Sequence, residues 1–330
     1  MNTFGRLFRM HIFGESHGRS VGVTIDGCPP GIPFSEAVLE PDLERRKPGA
    51  KGTTPRREED RPEIISGCFN GYTTGAPLTI LFANKNTQPA DYIKLAGIPR
   101  PGHSDFVAWK RFGGFNDYRG GGHFSGRLTL ALVAAGTLAK TILGNPPIEA
   151  RLIRAGGNDN VEQAVGQAVE EGDSVGGLVE CRAQGIPLGW GEPFFDSIES
   201  VISHLAFAVP AIKGIEFGSG FAAASMKGSV HNDPILDDSG KTSTNHAGGI
   251  TGGLSNGNEL VFRVAVKPTS SISKKQSTYS IESGKVEELE IKGRHDACIA
   301  LRVPVVIEAI TAIALADFKM LAEKRNSQRH

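Results

Sequence analysis

The chain has no excess charge of either sign: Lys plus Arg and Asp plus Glu each number 36 in 330 residues. A neutral chain sets up no overall field toward nucleic acid or an anionic membrane. Trp and Tyr are scarce, at two and four residues, which leaves few platforms on which unpaired bases can stack. The cysteines Cys28, Cys68, Cys181 and Cys298 lie far apart and form no CxxC pair. That spacing argues against a zinc site or a disulfide framework and fits a reducing compartment. Long apolar runs are missing as well. Residues 64–84 are uncharged but broken by Gly, Pro and Thr, whereas a membrane span needs about 20 mainly apolar residues. The N-terminal stretch with Arg6 and Arg9 lacks the continuous apolar core of a signal peptide. These absences predict a soluble, cytoplasmic protein with no nucleic-acid or membrane partner.

Glycine, by contrast, is abundant. The 42 glycines among 330 residues are roughly twice the usual share, and they cluster without a period, which suggests tight loops against a ligand. Between the clusters, short β-branched runs at 20–26, 62–66, 77–82, 177–182 and 259–266 are bounded by Gly, Pro or Asn, as strands are. Asn256-Gly257 reads as a hairpin turn joining 248–254 to the last of these. Helical patterns cover 35–46 (interrupted by Pro41), 128–143 (stopped by Gly144 and Pro146-Pro147), 160–171 and 196–207. In 305–325, Ile307, Ile310, Ala314, Phe318 and Leu321 share one face. The irregular alternation of strands and helices predicts an α+β fold. No repeat and no Pro- or Ser-rich linker divides the chain, so 1–330 reads as one domain.

Several segments look chemical. In GESHG (residues 14–18), Ser16 and His17 stand between glycines that allow close approach to a ligand. Residues 40–61 mix acids with Arg45, Arg46, Lys47, Lys51, Arg56, Arg57 and Arg61, either a solvated face or a site where guanidinium forks grip phosphate or carboxylate. RPGHSD (100–105) sets His103 after a Pro-Gly turn. DYRGGGHFSGR (117–127) feeds glycines into a helix start, leaving backbone N–H groups for an anion. A dinucleotide fingerprint is excluded there because no GxGxxG follows a strand, and a Walker loop because the GK[ST] ending is missing. NHAGGI (245–250) is a second backbone-exposed loop. KPTSS (267–271) brings one cation and three hydroxyls, and GRHD (293–296) sets guanidinium, imidazole and carboxylate in succession. Each segment alone is also compatible with an ordinary loop.

Taken together and in this order, GESHG, RRKPG, RPGHSD, DYRGGG, NHAGGI, KPTSS and GRHD closely resemble the chorismate synthase family, from about residue 3 to about residue 316. The resemblance implies a β-α-β sandwich-like fold and a homotetramer. It implies elimination of phosphate and a ring hydrogen across a 1,4 relation from 5-enolpyruvylshikimate 3-phosphate, in aromatic amino acid biosynthesis. It also implies reduced FMN as cofactor, with NADPH entering only as a source of reductant.

Carried over by motif, His17 is the acid at the leaving phosphate, His103 serves the flavin, and Asp296 helps take the substrate hydrogen by way of the flavin. Ser16, Arg45, Arg46, Lys51, Arg100 and Arg127 are the implied substrate contacts. His123, Phe124, Ser125, Pro210, Ala211, Gly252, Lys267, Pro268, Thr269, Ser270, Ser271 and Arg294 are the implied flavin contacts. The chain departs from the family pattern in three places. His123-Phe124 replaces an Arg-Ser pair, Pro210 replaces an Asn, and the loop around Lys51 is one residue shorter and lacks an Arg. Two other classes remain at this point. A flavin- or phosphate-binding relative without catalysis is disfavoured by the intact His17, His103 and Asp296. A basic-loop RNA binder is disfavoured by the zero net charge.

Overall fold

The computed structural model describes residues 2–54, 59–85, 97–291 and 295–327. Residues 9–26 alternate apolar and polar side chains on both sides of a glycine-bounded loop, and they fold as a hairpin. After a two-residue β1 (Thr3–Phe4) come β2 (Arg9–Gly14) and β3 (Ser20–Asp26). Next are α1 (Glu36–Arg46), β4 (Pro62–Ser66), a small ladder of β5 (Cys68–Phe69) with β6 (Tyr72–Thr73), and β7 (Leu78–Ala83). The first sheet is antiparallel in the order β1-β2-β3-β7-β4, with Val23 opposite Ile80.

Then follow α2 (Asp105–Arg111), α3 (Thr129–Leu143), β8 (Ile148–Ala155), α4 (Val161–Glu170), β9 (Gly177–Ala183), α5 (Ile198–Ala208), β10 (Ile212–Phe217) and a single turn α6 (Gly228–His231). The chain continues with β11 (Ile250–Thr251), β12 (Leu254–Ser255), β13 (Leu260–Val266), β14 (Gln276–Tyr279), β15 (Val286–Leu289) and α7 (Pro304–Ser327). The second sheet, β10-β13-β9-β8, is antiparallel too.

The two sheets enclose a helical layer. α3 lies on β2 and β3, α7 lies on β8 and β9, and the two helices pack on each other. They approach so closely that a Cβ on Gly136 would stand 2.3 Å from Ala309 Cβ. Val21, Val23, Ile80 and Phe82 from one sheet and Val179, Cys181, Phe262 and Val264 from the other are fully buried in the same core. The architecture is the α+β arrangement expected. The stretch Gly126–Leu143 is apolar enough to span a membrane by composition, and here most of α3 is buried in this core.

Two sequence expectations change. α7 is buried at every position from Val305 to Phe318, polar residues included. Lying between layers, it has no solvent face to which polar residues could be confined. Asn256-Gly257 also joins no hairpin ladder: the Val261 N–H donates to Gly248 O, but β12 folds back on β11 across Gly252-Gly253, while β13 sits between β10 and β9. The conformationally freer turn is Gly252-Gly253, both at positive φ.

Two buried carboxylates on α7 tie the layers together. Asp317 Oδ1 accepts from the backbone N–H of Leu7 at 2.7 Å and Phe8 at 2.9 Å, fixing the entry to β2. Glu308 accepts from Arg45, Lys140 and the Ala150 N–H.

Candidate active site

β2 and β3 diverge at Gly14, and the loop between them turns inward, so that Ser16 and His17 are each only 5% exposed. Asn84, just beyond β7, donates its amide to the carbonyls of Glu15 at 3.0 Å and Gly18 at 2.9 Å, fixing this loop from below. From the other side the loop meets Gly120, Gly121 and Gly122, three consecutive residues at φ 58°, 81° and 53°, and the Ser16 N–H donates to Gly122 O at 3.0 Å. Only glycine takes three such conformations in a row without strain. It is also the only residue that fits. A Cβ on Gly120 would stand 2.4 Å from the His17 ring and 2.8 Å from Ser16 Oγ, and one on Gly121 would stand 3.1 Å from His103 Cε1. His17 and His103, 86 positions apart, therefore pack against adjacent residues of one loop.

Behind this loop is a network of buried charge. Asp60, itself at φ 49°, bridges two guanidinium groups, with Oδ2 at 3.2 Å from Arg46 and Oδ1 at 2.9 Å from Arg127. Arg46 also donates to Thr129 Oγ1 and to the carbonyls of Gly126 and Arg127. Arg127 donates to Asn84 Oδ1 and so joins the network to the His17 loop. Arg302 reaches in from the segment before α7, donating to Arg46 O at 3.2 Å and lying 3.3 Å from Asp296 Oδ2. The other oxygen of Asp296 accepts the Thr54 N–H at 2.8 Å, and Ala297 N–H donates to Gly52 O, so the basic loop is stitched to the GRHD segment. Lys51 is exposed on that loop. Arg45, next to Arg46 on α1, is directed elsewhere and shares Glu308 with Lys140.

The RPGHSD and KPTSS segments form the third wall. Arg100 is 8% exposed and grips Asp105 with Nε at 2.7 Å and Nη2 at 2.9 Å, while Nη1 donates to Ser271 Oγ. Its fork thus holds a carboxylate of the protein itself. Lys267 donates to Ser270 Oγ, which in turn donates to Gly102 O. Burial and the neighbouring Lys213 lower the Lys267 pKa from its ordinary value. Ala211 O accepts the Lys267 N–H, which brings Pro210-Ala211 to the same strand end. Thr269 Oγ1 is buried and has no partner among the described residues. Burial, and after it the charge of Arg100, lowers the His295 pKa. A cavity opens beside Arg100 and Asp105, walled by Trp109, Tyr118 and Ile281.

Of the remaining expected contacts, Ser125 accepts the Arg127 N–H with its hydroxyl at the entry to α3. Phe124 is 41% exposed and packs against Phe112 with ring centres 6.3 Å apart. His123 Nδ1 donates to Gly14 O at 2.7 Å, and Nε2 lies 3.1 Å from Asn2 Oδ1. His123 therefore fastens the glycine loop to the end of β2. Gly252 lies in the β11–β12 turn at the N-terminal end of α5, where Ile198 N–H donates to Gly253 O, whereas Pro210-Ala211 follow the other end of that helix. At a rise of about 1.5 Å per residue, α5 separates these two expected flavin contacts by roughly 16 Å. Arg294 is outside the described residues. Asn84, Asp60 and Arg302 join the network around these residues but lie in none of the short motifs, whereas Asp105 closes the RPGHSD motif, in which the sequence pointed to Arg100 and His103 alone.

A profile of the family described as chorismate synthase matches residues 8–320. The chain belongs to the chorismate synthase family. It is 65% identical to the chorismate synthase of Chitinophaga pinensis over 327 residues, 99% of this chain and 98% of that protein. It is 45% identical to one from Dehalococcoides mccartyi and 43% identical to one from Korarchaeum cryptofilum, in both cases across 97% of each chain. A chorismate synthase crystal structure superposes with a TM-score of 0.74 at 25% identity, covering 97% of this chain and 93% of the other. As a chorismate synthase, the protein is a lyase of the shikimate pathway acting on a small-molecule substrate.

Proposed function

We propose that the loop of Gly120–Gly122 is the floor on which the substrate and reduced FMN meet, with His17 serving the leaving phosphate and His103 the flavin. The observation that carries this reading is the packing of the two imidazoles against Gly120 and Gly121. The substrate is 5-enolpyruvylshikimate 3-phosphate, and the reaction breaks its allylic C–O bond to phosphate and a ring C–H bond to give chorismate.

The residues present fit reduced FMN. Lys267, and the Thr269 hydroxyl that is buried without a partner among the described residues, supply donors of the kind an anionic, phosphate-bearing ring system needs, and His103 stands close by on the glycine loop. Reduced FMN, when bound, would lend electron density to the substrate ring as the allylic phosphate leaves and recover it as the ring hydrogen departs, with no net oxidation. The protein does the rest. Arg46 and Arg127, held by Asp60, set positive charge behind His17, where a departing phosphate gains negative charge. His17 delivers a proton to that phosphate, a task suited to a group whose unperturbed pKa is near working pH. Asp296, oriented by Thr54 N–H and Arg302, takes up the proton that the ring loses. His103 faces the glycine loop and holds a proton toward the flavin.

The reading extends to a cytoplasmic homotetramer without nucleic-acid or membrane partners, with NADPH as an outside source of reductant; the neutral chain and the family resemblance support it. Anaerobic incubation of the full chain with substrate and chemically reduced FMN tests the activity. Chorismate and phosphate should form in equal amounts, and a chain that binds both ligands without forming either product would refute it.

A further inference from the structure

Asp105 opens α2, two residues past His103, and its carboxylate is the junction of three contacts. Arg100 holds it with a two-point fork and with its own backbone N–H, at 2.7, 2.9 and 3.2 Å. On the remaining side Asp105 Oδ1 lies 2.6 Å from His103 Nδ1. A ring nitrogen and a carboxylate oxygen at that separation both present lone pairs unless a proton lies between them, and Asp105 can only accept once ionised. Arg100 Nη2 lies 3.1 and 3.2 Å from the two ring nitrogens. It also brings only donors, so it cannot accept the Nδ1 proton. The opposite edge of the ring faces the loop, since a Cβ on Gly121 would stand 3.1 Å from Cε1 and 3.3 Å from Nε2.

We infer that Asp105 is a positioning residue that keeps a proton on His103 Nδ1 and thereby makes Nε2 the nitrogen that gains and loses its proton toward the glycine loop. Arg100 acts one step further back. Its fork fixes the carboxylate in both position and charge, much as a second partner fixes the tautomer of a functional imidazole elsewhere. The expected Asp105 substitution effect on rate rests on the role given to His103 above, but the tautomer does not.

The test uses the full chain labelled with 15N at histidine, without ligands, and identifies the His103 signals by their loss in His103→Ala. In the wild-type protein Nδ1 should stay protonated across the titration while Nε2 alone titrates. In Asp105→Asn the neutral ring should lose that fixed preference. A wild-type His103 protonated at Nε2 when neutral would overturn the inference without any variant, as would an unchanged tautomer in a folded Asp105→Asn. In turnover, Asp105→Asn should lower kcat by about 10²-fold, at the lower end of what removing a general acid does, with little change in KM. Adding it to His103→Ala should bring no further loss. A further loss in the double variant would mean that Asp105 acts apart from His103 and would overturn the claim. If the tautomer is as stated and no chorismate forms, the assigned activity fails and the positioning claim stands.

Discussion

His17 and His103 are joined through a single peptide link: the first packs against Gly120 and the second against Gly121. Two imidazoles from distant motifs are thus set at a spacing fixed by backbone geometry, about 3.8 Å between the Cα atoms of the residues they touch. Gly120→Ala should abolish most activity, because the new methyl group would overlap the His17 ring in a backbone conformation that L-residues rarely adopt. Gly121→Ala, whose nearest contact is looser, should cost less. Steady-state rates and melting temperatures for the pair check this, and equal losses would show that backbone strain alone matters.

The carboxylate between Arg46 and Arg127 is the second weak point. Asp60→Ala would leave two buried guanidinium groups without the anion they share. Removing one partner of a buried ion pair typically costs about 3–5 kcal/mol. Urea unfolding should register a loss of that order, and substrate affinity should fall as the two arginines reorganise. A variant as stable as wild type would mean that other acceptors already suffice for both cations.

Acid sensitivity follows from Asp105. Burial alone would raise its pKa, but the hydrogen bonds from Arg100 and His103 and their charges outweigh it and hold the carboxyl well below its usual range. The folded value lies below the unfolded one, near 3.9. Its contribution is therefore complete above about pH 5 and is lost as pH falls through the unfolded and then the folded value. The stability gap between wild type and Asp105→Asn should shrink as pH falls below about 4. Unfolding midpoints at a series of pH values measure it, and a gap that widens on acidification would contradict the assignment.

These relationships show what the sequence made legible. The motifs around His17, His103, Gly120 and Lys267 announce themselves because glycine and proline fix local geometry within a few residues, and the structure brings all four segments together. The sequence could not show which of Arg45 and Arg46 faces the site. Consecutive helical residues point about 100° apart, and the choice is made by Glu308 on α7 and Asp60 beyond α1, both remote in sequence. Asn84, Asp60 and Arg302 were missed for the same reason: their partners are far away along the chain. Arg100 looked like a ligand contact, and only its neighbour Asp105 explains its buried fork. The bond from His123 to Gly14 O, which anchors the glycine loop, joins residues 109 positions apart and so was equally out of reach of the motif.

Shared surface predicts linked binding. The glycine loop and the walls carrying Arg127 and Lys267 meet at one place, so substrate and reduced FMN should each order the other's contacts. Anaerobic titration of FMN should give a tighter dissociation constant with substrate or a phosphate-bearing mimic present. Flavin must then tighten substrate by the same factor. Equal constants with and without substrate would mean independent sites.

The division of labour between the two imidazoles is tested most directly by anaerobic single turnover, with enzyme in excess and reduced FMN saturating, following phosphate release in wild type, His17→Ala and His103→Ala. Both variants should be folded and slower by roughly 10²–10⁴. His17→Ala should keep wild-type affinity for reduced FMN, while His103→Ala should lose part of it. Phosphate release at the wild-type rate in either variant would contradict the account.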